Sequence, residues 1–169
     1  MRIAITDACI FIDLHNLILV EHFFGIDLEI HTSLDVVNEL FEEQKQQLIS
    51  FAEAGKLVIH SIGEKERLNI LQTPFPRALS EVDKTVLFLA SKLDAVVVSS
   101  DKAVRNYAKK QSIEYHGMLW ILDKLVELEL LSKPDACGKL EKLIKGNMVY
   151  QNNIELVSEM NKRLRMWRK

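Results

Sequence analysis

The chain has 169 residues, 48% of them hydrophobic and 27% charged, with only six glycines and three prolines. That is enough length for one packed domain, and the composition excludes a disordered or fibrous chain. The net charge of −2 excludes nucleic-acid binding through bulk charge, so an acidic partner must be met by a local basic patch or through bound cations.

No apolar run approaches the roughly 20 residues of a membrane helix. The first seven residues lack signal-peptide organisation, because Asp7 interrupts the first apolar stretch. Cys9 lies in an apolar run and reads as a buried thiol. Neither it nor Cys137 belongs to a CxxC pair, so no disulfide framework or zinc ligand spacing is present and a reducing, cytoplasmic setting is expected.

Residues 3–6 read as a buried strand that stops at Asp7. Apolar residues then dominate to about Phe24 and predict one helix closing on Gly25. A short strand is expected over residues 28–31. Thr32 or Ser33 caps the next helix, with Asp35 suited to its first turn. Its apolar positions Val36, Val37, Leu40, Phe41, Leu48, Ile49 and Phe51 recur at three and four residues, which predicts one continuous helix to Gly55 with that face buried. Residues 57–62 are β-rich, residues 64–72 suggest a short helix, and Thr73-Pro74-Phe75-Pro76 is a loop, since residues before proline avoid helical geometry. Ser80 opens a helix to Leu93. Residues 95–99 (Ala-Val-Val-Val-Ser) have no polar alternation, as expected of a parallel strand covered on both faces. A helix over 101–111, a strand over 113–116 and an amphipathic helix over 118–131 follow. Pro134 reads as a break, with two further helices over 137–148 and 154–167. This alternation predicts a three-layer α/β/α sandwich with a mostly parallel central sheet, a domain over residues 1–135 and a C-terminal helical extension over 136–169 that packs on the same domain or on a partner.

Open parallel sheets bind ligands beyond the carboxyl ends of their strands. Asp7 directly follows the first strand, and Asp101 follows the 95–99 strand after Ser99 and Ser100. Carboxylates brought close repel and raise each other's pKa, a conflict that a cation relieves. Hard oxygen donors suit Mg²⁺ or Mn²⁺. The five histidines show no HxxxH or HxH spacing, and neither a nucleophile elbow nor a glycine-rich phosphate loop is present.

Four segments, in order, resemble the motifs of PIN domains: Thr6-Asp7-Ala8-Cys9-Ile10-Phe11-Ile12-Asp13-Leu14, Ser33-Leu34-Asp35-Val36-Val37-Asn38-Glu39-Leu40-Phe41, residues 79–90 around Asp83, and Val97-Val98-Ser99-Ser100-Asp101-Lys102-Ala103-Val104-Arg105. The stretch Gly117-Met118-Leu119-Trp120-Ile121-Leu122 is similar to the glycine-led final helix of a toxin-like subgroup. The resemblance implies a metal-dependent endoribonuclease acting on single-stranded RNA, often the VapC-type toxin of a pair with a small antitoxin, and a homodimer. Asp7, Glu39, Asp83 and Asp101 would form the metal shell for Mg²⁺ or Mn²⁺. Asp7 and Asp101 would ligate directly, Glu39 and Asp83 partly through water. Thr6, Ser99 and Ser100 would supply supporting hydroxyls. Many family members carry a second acid after the fourth motif; here it is Lys102, which counts against two metals and would either replace part of a metal's charge or contact RNA phosphate, and Arg105 is a further candidate for such a contact.

Structural readings stand beside these. Asp7 and Asp101 also suit helix N-caps, Glu39 and Asp83 also suit solvated helix faces, and Glu81 rivals Asp83. The run Asn161-Lys162-Arg163-Leu164-Arg165-Met166-Trp167-Arg168-Lys169 is either a solvated helix end or an RNA contact through Arg163, Arg165 and Arg168, with Trp167 stacking on a base. A catalytically degenerate PIN-like module that binds RNA or protein is the alternative function. A receiver-type phosphoacceptor domain fits poorly, because the strand over 57–62 ends without an aspartate.

Overall fold

The computed structural model describes residues 1–169 and divides them into two compact units. The first comprises Met1–Ile12 and Asp27–Gly117, the second Asp13–Ile26 and Met118–Lys169. The division passes through the first helix and just after Gly117; residue 135 falls inside a helix.

The first unit holds a five-stranded, all-parallel sheet in the order β3-β2-β1-β4-β5. Its strands are β1 (Arg2–Thr6), β2 (Leu28–Ser33), β3 (Leu57–His60), β4 (Val96–Val98) and β5 (Tyr115–His116). From the centre the chain winds outward one way through β2 and β3, then returns to β4 and continues to β5. Right-handed crossovers wound in both directions put helices on both faces of such a sheet. The core strands agree: all three valines of β4 are buried, as are Ala4, Ile5 and Thr6, so alternate side chains on both faces are covered. This is the α/β/α sandwich with a parallel sheet that the element order predicts.

The helices of this unit form where the sequence allows. α1 (Ala8–Asn16) begins at Asp7. α3 (Leu34–Glu39) is capped by Ser33, whose hydroxyl accepts from the Val36 amide at 3.1 Å. α4 (Glu42–Glu53) and α5 (Glu64–Gln72) flank β3 in sequence. α6 (Glu81–Leu93) packs against β1, β2 and β4. It ends at Asp94, which takes the left-handed conformation with φ of 49°. α7 (Lys102–Lys110) joins β4 to β5.

Three expectations require correction. The helix predicted from Ala8 to Phe24 is two, α1 and α2 (Val20–Phe24), separated at Ile18, whose φ of 56° cannot continue a helix. The helix predicted from Ser33 to Gly55 is also two. Leu40 is extended, and Gln44 turns back to accept the Phe41 amide at 3.1 Å, which starts a new helix. Phe41, expected on the buried face, is 79% exposed. Pro134 does not mark a break before a helix at 137: it lies in the first turn of α9 (Lys133–Gly146), where its missing N–H is no loss.

In the second unit, α2, α8 (Met118–Glu127), α9, α10 (Met148–Gln151) and α11 (Ile154–Trp167) pack as a helical cluster. Leu122, Leu125, Leu140, Leu143, Met160 and Leu164 are among its buried side chains. Arg163 on α11 donates twice to Asp123 on α8, at 2.9 and 2.8 Å. No helix of the protein is long and apolar enough to cross a membrane.

Candidate functional site

The strand order reverses between β1 and β4, and the crevice beyond their carboxyl ends is the expected ligand position. Asp7 emerges from β1 there, its amide donating to the Val98 carbonyl at 3.2 Å. Its side chain is only 4% exposed. One carboxylate oxygen accepts from the Cys9 thiol at 2.8 Å and from the Ile10 amide at 3.3 Å. The second bond is the helix-capping role. Burial pushes the Asp7 pKa up to about 6, against hydrogen bonds from Cys9, Ser99 and Ile10, and the charge of Asp83 adds to the rise.

Ser99 ties the two strand ends together. It is fully buried, its hydroxyl is hydrogen-bonded to Asp7 and it accepts the Asp101 amide at 3.1 Å. Asp101 is exposed and caps α7, accepting from Val104 at 3.0 Å. Ser100 donates its amide to the Cys9 sulfur at 3.4 Å. The Thr6 hydroxyl oxygen is buried without a hydrogen-bond partner, although its carbonyl accepts from Thr32 at 2.7 Å.

Asp83 is the third acid and the electrostatic centre of the group. Its carboxylate accepts the Ser80 amide at 2.9 Å while Ser80 accepts the Asp83 amide at 3.1 Å, a reciprocal cap at the start of α6. Its charge reaches both Asp7 and Glu39. Glu39, at the end of α3, is held above the usual glutamate range by partial burial, then by Asp83 and Asp35. The rival Glu81 is exposed and paired with Lys84 at 2.6 Å. The helix-cap readings of Asp7 and Asp101 are therefore realised, Asp83 takes part in a cap that its sequence position was not read for, and each carboxylate keeps further acceptor capacity.

No three side chains of His, Cys, Asp or Glu converge as a ready-made cage for an ion. The donor chemistry nevertheless fits Mg²⁺ or Mn²⁺. Mg²⁺ is commonly held by one or two carboxylates together with water and substrate phosphate rather than by a protein cage. A buried carboxylate held high by desolvation and a buried hydroxyl without a partner are groups that a cation with its water shell would satisfy.

The expected cationic residues divide by unit. In the first, Lys102 is exposed at the start of α7, and the Arg105 guanidinium lies 5.1 Å from the centre of the Tyr115 ring. In the second, Arg163 is bound to Asp123 and Glu159, and Arg168 to Glu141. Arg165 donates to the Asn161 carbonyl at 3.4 Å. Trp167 is 6% exposed, so its ring is core and the expectation that it stacks on a base is corrected.

Two features escaped the sequence. Cys9 is half-buried rather than buried, and it is a hydrogen-bond partner of Asp7; its place two residues past a helix-capping aspartate was the available signal. Burial and the neighbouring Asp7 charge raise its thiol pKa, so it acts as a donor and not as a thiolate. His31 and His60 also pair, Nδ1 to Nε2 at 2.9 Å, with Glu29 on the other His31 nitrogen. Their separation of 29 residues gave no local signal, because strand pairing alone brings them together.

A family model described as a PIN domain matches residues 3–164. Among solved structures, a domain of a functionally unknown protein from Methanocaldococcus jannaschii DSM 2661 is similar, with 23% identity and a TM-score of 0.49 over 70% of this chain and 91% of that one. No curated protein matches.

Proposed function

The chain belongs to the PIN-domain family, whose fold is nuclease-like, and from that premise we propose that it is a metal-dependent endoribonuclease cleaving single-stranded RNA. The observation that carries the reading is Asp7: a buried carboxylate at the strand-order reversal, its pKa raised to about 6 by burial, with Asp83 adding its charge and Ser99 leading to Asp101. Asp7 and Asp101 would hold a Mg²⁺ or Mn²⁺ ion directly, with Glu39 and Asp83 contributing partly through its water shell. When bound, such an ion lowers the pKa of water and screens charge on a phosphate undergoing in-line displacement.

The chain's own residues do the rest. Ser99 fixes the spacing of Asp7 and Asp101 by bonding to both. Cys9 donates to one Asp7 oxygen and so orients the carboxylate. Asp83, locked by Ser80, fixes the acidic charge that keeps Asp7 and Glu39 receptive to a cation. Lys102 and Arg105, on the same helix as the Asp101 cap, offer positive charge to the RNA backbone. The likeness of residues 117–122 to a toxin-like subgroup supports a finer reading: the toxin of a pair with a small antitoxin protein, working as a homodimer.

The test is cleavage of a labelled single-stranded RNA with Mn²⁺, comparing the parent with Asp7→Asn and Asp101→Asn. Both variants are expected to lose activity. Cutting at the parental rate by both, in clean preparations, sinks the ligand assignment. A second reading, a binding module without turnover, is favoured by Lys102 in place of an acid and by the lack of a three-side-chain cage. Calorimetric titration with Mn²⁺ separates the two, because the module predicts RNA binding with no heat of metal binding.

A further inference from the structure

Arg105 is one helical turn past Asp101, and its amide donates to the Asp101 carbonyl at 3.0 Å. That bond sets Arg105 one turn beyond the Asp101 cap of α7. The guanidinium is set against the Tyr115 ring. It also passes close over Gly117: a β-carbon built there would stand 2.8 Å from Arg105 Nη1, 3.5 Å from the Ser99 carbonyl oxygen and 3.8 Å from the Ser100 hydroxyl. The guanidinium thereby lies near the two serines that follow β4, one of which is bonded to Asp7 and Asp101.

Arg105 is half-buried and carries no carboxylate partner. Of the other six arginines, Arg2, Arg67, Arg163 and Arg168 are ion-paired, and Arg77 and Arg165 are exposed to solvent. A guanidinium set on an aromatic face, close over a glycine and with its N–H donors left free of any acid, matches what bidentate phosphate recognition requires. The missing side chain at Gly117 is what admits it. Gly117 has no left-handed backbone to explain it, and the first atom an added methyl would meet is that guanidinium.

We propose that Arg105, seated in the notch left by Gly117 and backed by Tyr115, is a positioning residue that binds a backbone phosphate of single-stranded RNA next to the scissile bond. The proposal rests on the nuclease reading and adds to it the group that places the substrate. It also assigns Gly117 a role in placing the substrate, through the position of the guanidinium rather than through any contact of its own.

The experiment measures cleavage of a labelled oligoribonucleotide with Mn²⁺, and its binding without divalent ions at several salt concentrations. The proteins are the parent, Arg105→Gln, Arg105→Lys, Gly117→Ala and the Arg105→Gln/Gly117→Ala double variant. Arg105→Gln is expected to raise KM about tenfold with a smaller change in kcat, and to lower the slope of log affinity against log salt by about one. Arg105→Lys recovers only part of the loss, since an ammonium cannot make the bidentate contact. Gly117→Ala keeps the charge but displaces it, and it follows Arg105→Gln in KM. The double variant is no worse than Arg105→Gln alone. A purely structural role for Arg105 would lower the melting temperature and leave the salt slope unchanged, and that result overturns the proposal. So does a Gly117→Ala variant with parental KM. A parent that binds RNA with an Arg105-dependent slope but never cuts it leaves this inference standing and removes the nuclease reading. A parent that neither binds nor cuts removes both.

Discussion

Arg105 and Arg163 are the two half-buried arginines of the chain, and they are held in opposite ways. In the helical unit, Arg163 meets Asp123 through two parallel bonds and Glu159 through a third. In the sheet unit, Arg105 meets an aromatic ring and a glycine but no acid. The acids mirror this: Asp123 has its cation, whereas Asp7 is buried with a thiol, an amide and a serine and is pressed by the charge of Asp83. Charges paired within the chain are explained by the fold. Charges left without a partner inside the chain call for something from outside, and a buried carboxylate and a free guanidinium of the same unit suit a cation and a phosphate.

Asp7→Asn against Asp123→Asn gives the largest separation. At Asp7 the amide variant is expected to reduce Mn²⁺-dependent cleavage by about 100-fold or more, the scale at which one preorganised charge-stabilising group matters. Without metal it should not lose stability. The folded pKa of about 6 lies above the ordinary 3.8, so ionised Asp7 opposes folding at pH 7, by at most about 3 kcal/mol from the shift. Removing that charge offsets the hydrogen bonds weakened at Cys9 and Ile10, worth about 1 kcal/mol each. Asp123→Asn should do the reverse, lowering the melting temperature and keeping the rate. Equal loss of rate in both variants would erase the distinction between the two units.

The pH dependence sharpens the same point. For a carboxylate with a raised folded pKa, the stabilising contribution is complete below its unfolded pKa of 3.8 and disappears as pH rises through about 6. Metal-free protein should therefore lose this contribution between about pH 4 and pH 6. A metal ligand must be deprotonated, so Mn²⁺ affinity should weaken toward about tenfold per unit as pH falls below 6. The difference in melting temperature with and without Mn²⁺ is expected to widen from pH 5 to pH 7. A constant difference would mean that Asp7 is not a ligand.

Arg163→Gln should have a smaller effect, and only on stability. The pair is partly exposed, with Asp123 at 36% and Arg163 at 17% side-chain accessibility, so about 1 kcal/mol or less is expected by chemical denaturation. RNA affinity and KM should stay within about twofold, since this cation is already neutralised.

Much of the sheet unit was legible from its sequence because its signals are local. Valine runs without polar alternation mark covered parallel strands, and Ser33, Ser80 and Asp101 mark the helix starts that carry or adjoin Glu39, Asp83 and Lys102. Pairwise geometry was not legible. The apolar spacing across Leu40 and Phe41 fits one helix, yet the Gln44 cap at Phe41 divides it and leaves Phe41 exposed. In the C-terminal unit the run of basic residues reads as either a solvated helix end or an RNA contact, and the ion pairs of Arg163 and Arg168 are invisible in it. Glu141, Asp123 and Glu159 lie 27, 40 and four residues away from the arginines they neutralise. The notch at Gly117 was hidden for the same reason, since a glycine before a helix says nothing of the side chain that crosses it.

Lys102 carries the smallest effect and the finest distinction. It is exposed, it has no ion pair, and it sits in the first turn of α7, where the helix dipole disfavours a cation by roughly 0.3–1 kcal/mol at low salt. A residue placed against that preference beside Asp101 either serves the substrate or is tolerated because Asp101 offsets its charge. The two accounts differ in what Lys102→Gln does. If Lys102 serves the RNA, affinity falls by about two- to threefold at low salt, the salt slope drops by less than one, and the deficit fades toward 0.15 M, where the screening length is about 8 Å. If it is only tolerated, affinity is unchanged and the melting temperature rises slightly. Arg105→Gln supplies the scale, because a guanidinium fixed in a notch loses less freedom on binding than a mobile ammonium does. An effect of Lys102→Gln larger than that of Arg105→Gln would mean that bulk charge at the helix start, and not the seated guanidinium, is what holds the RNA.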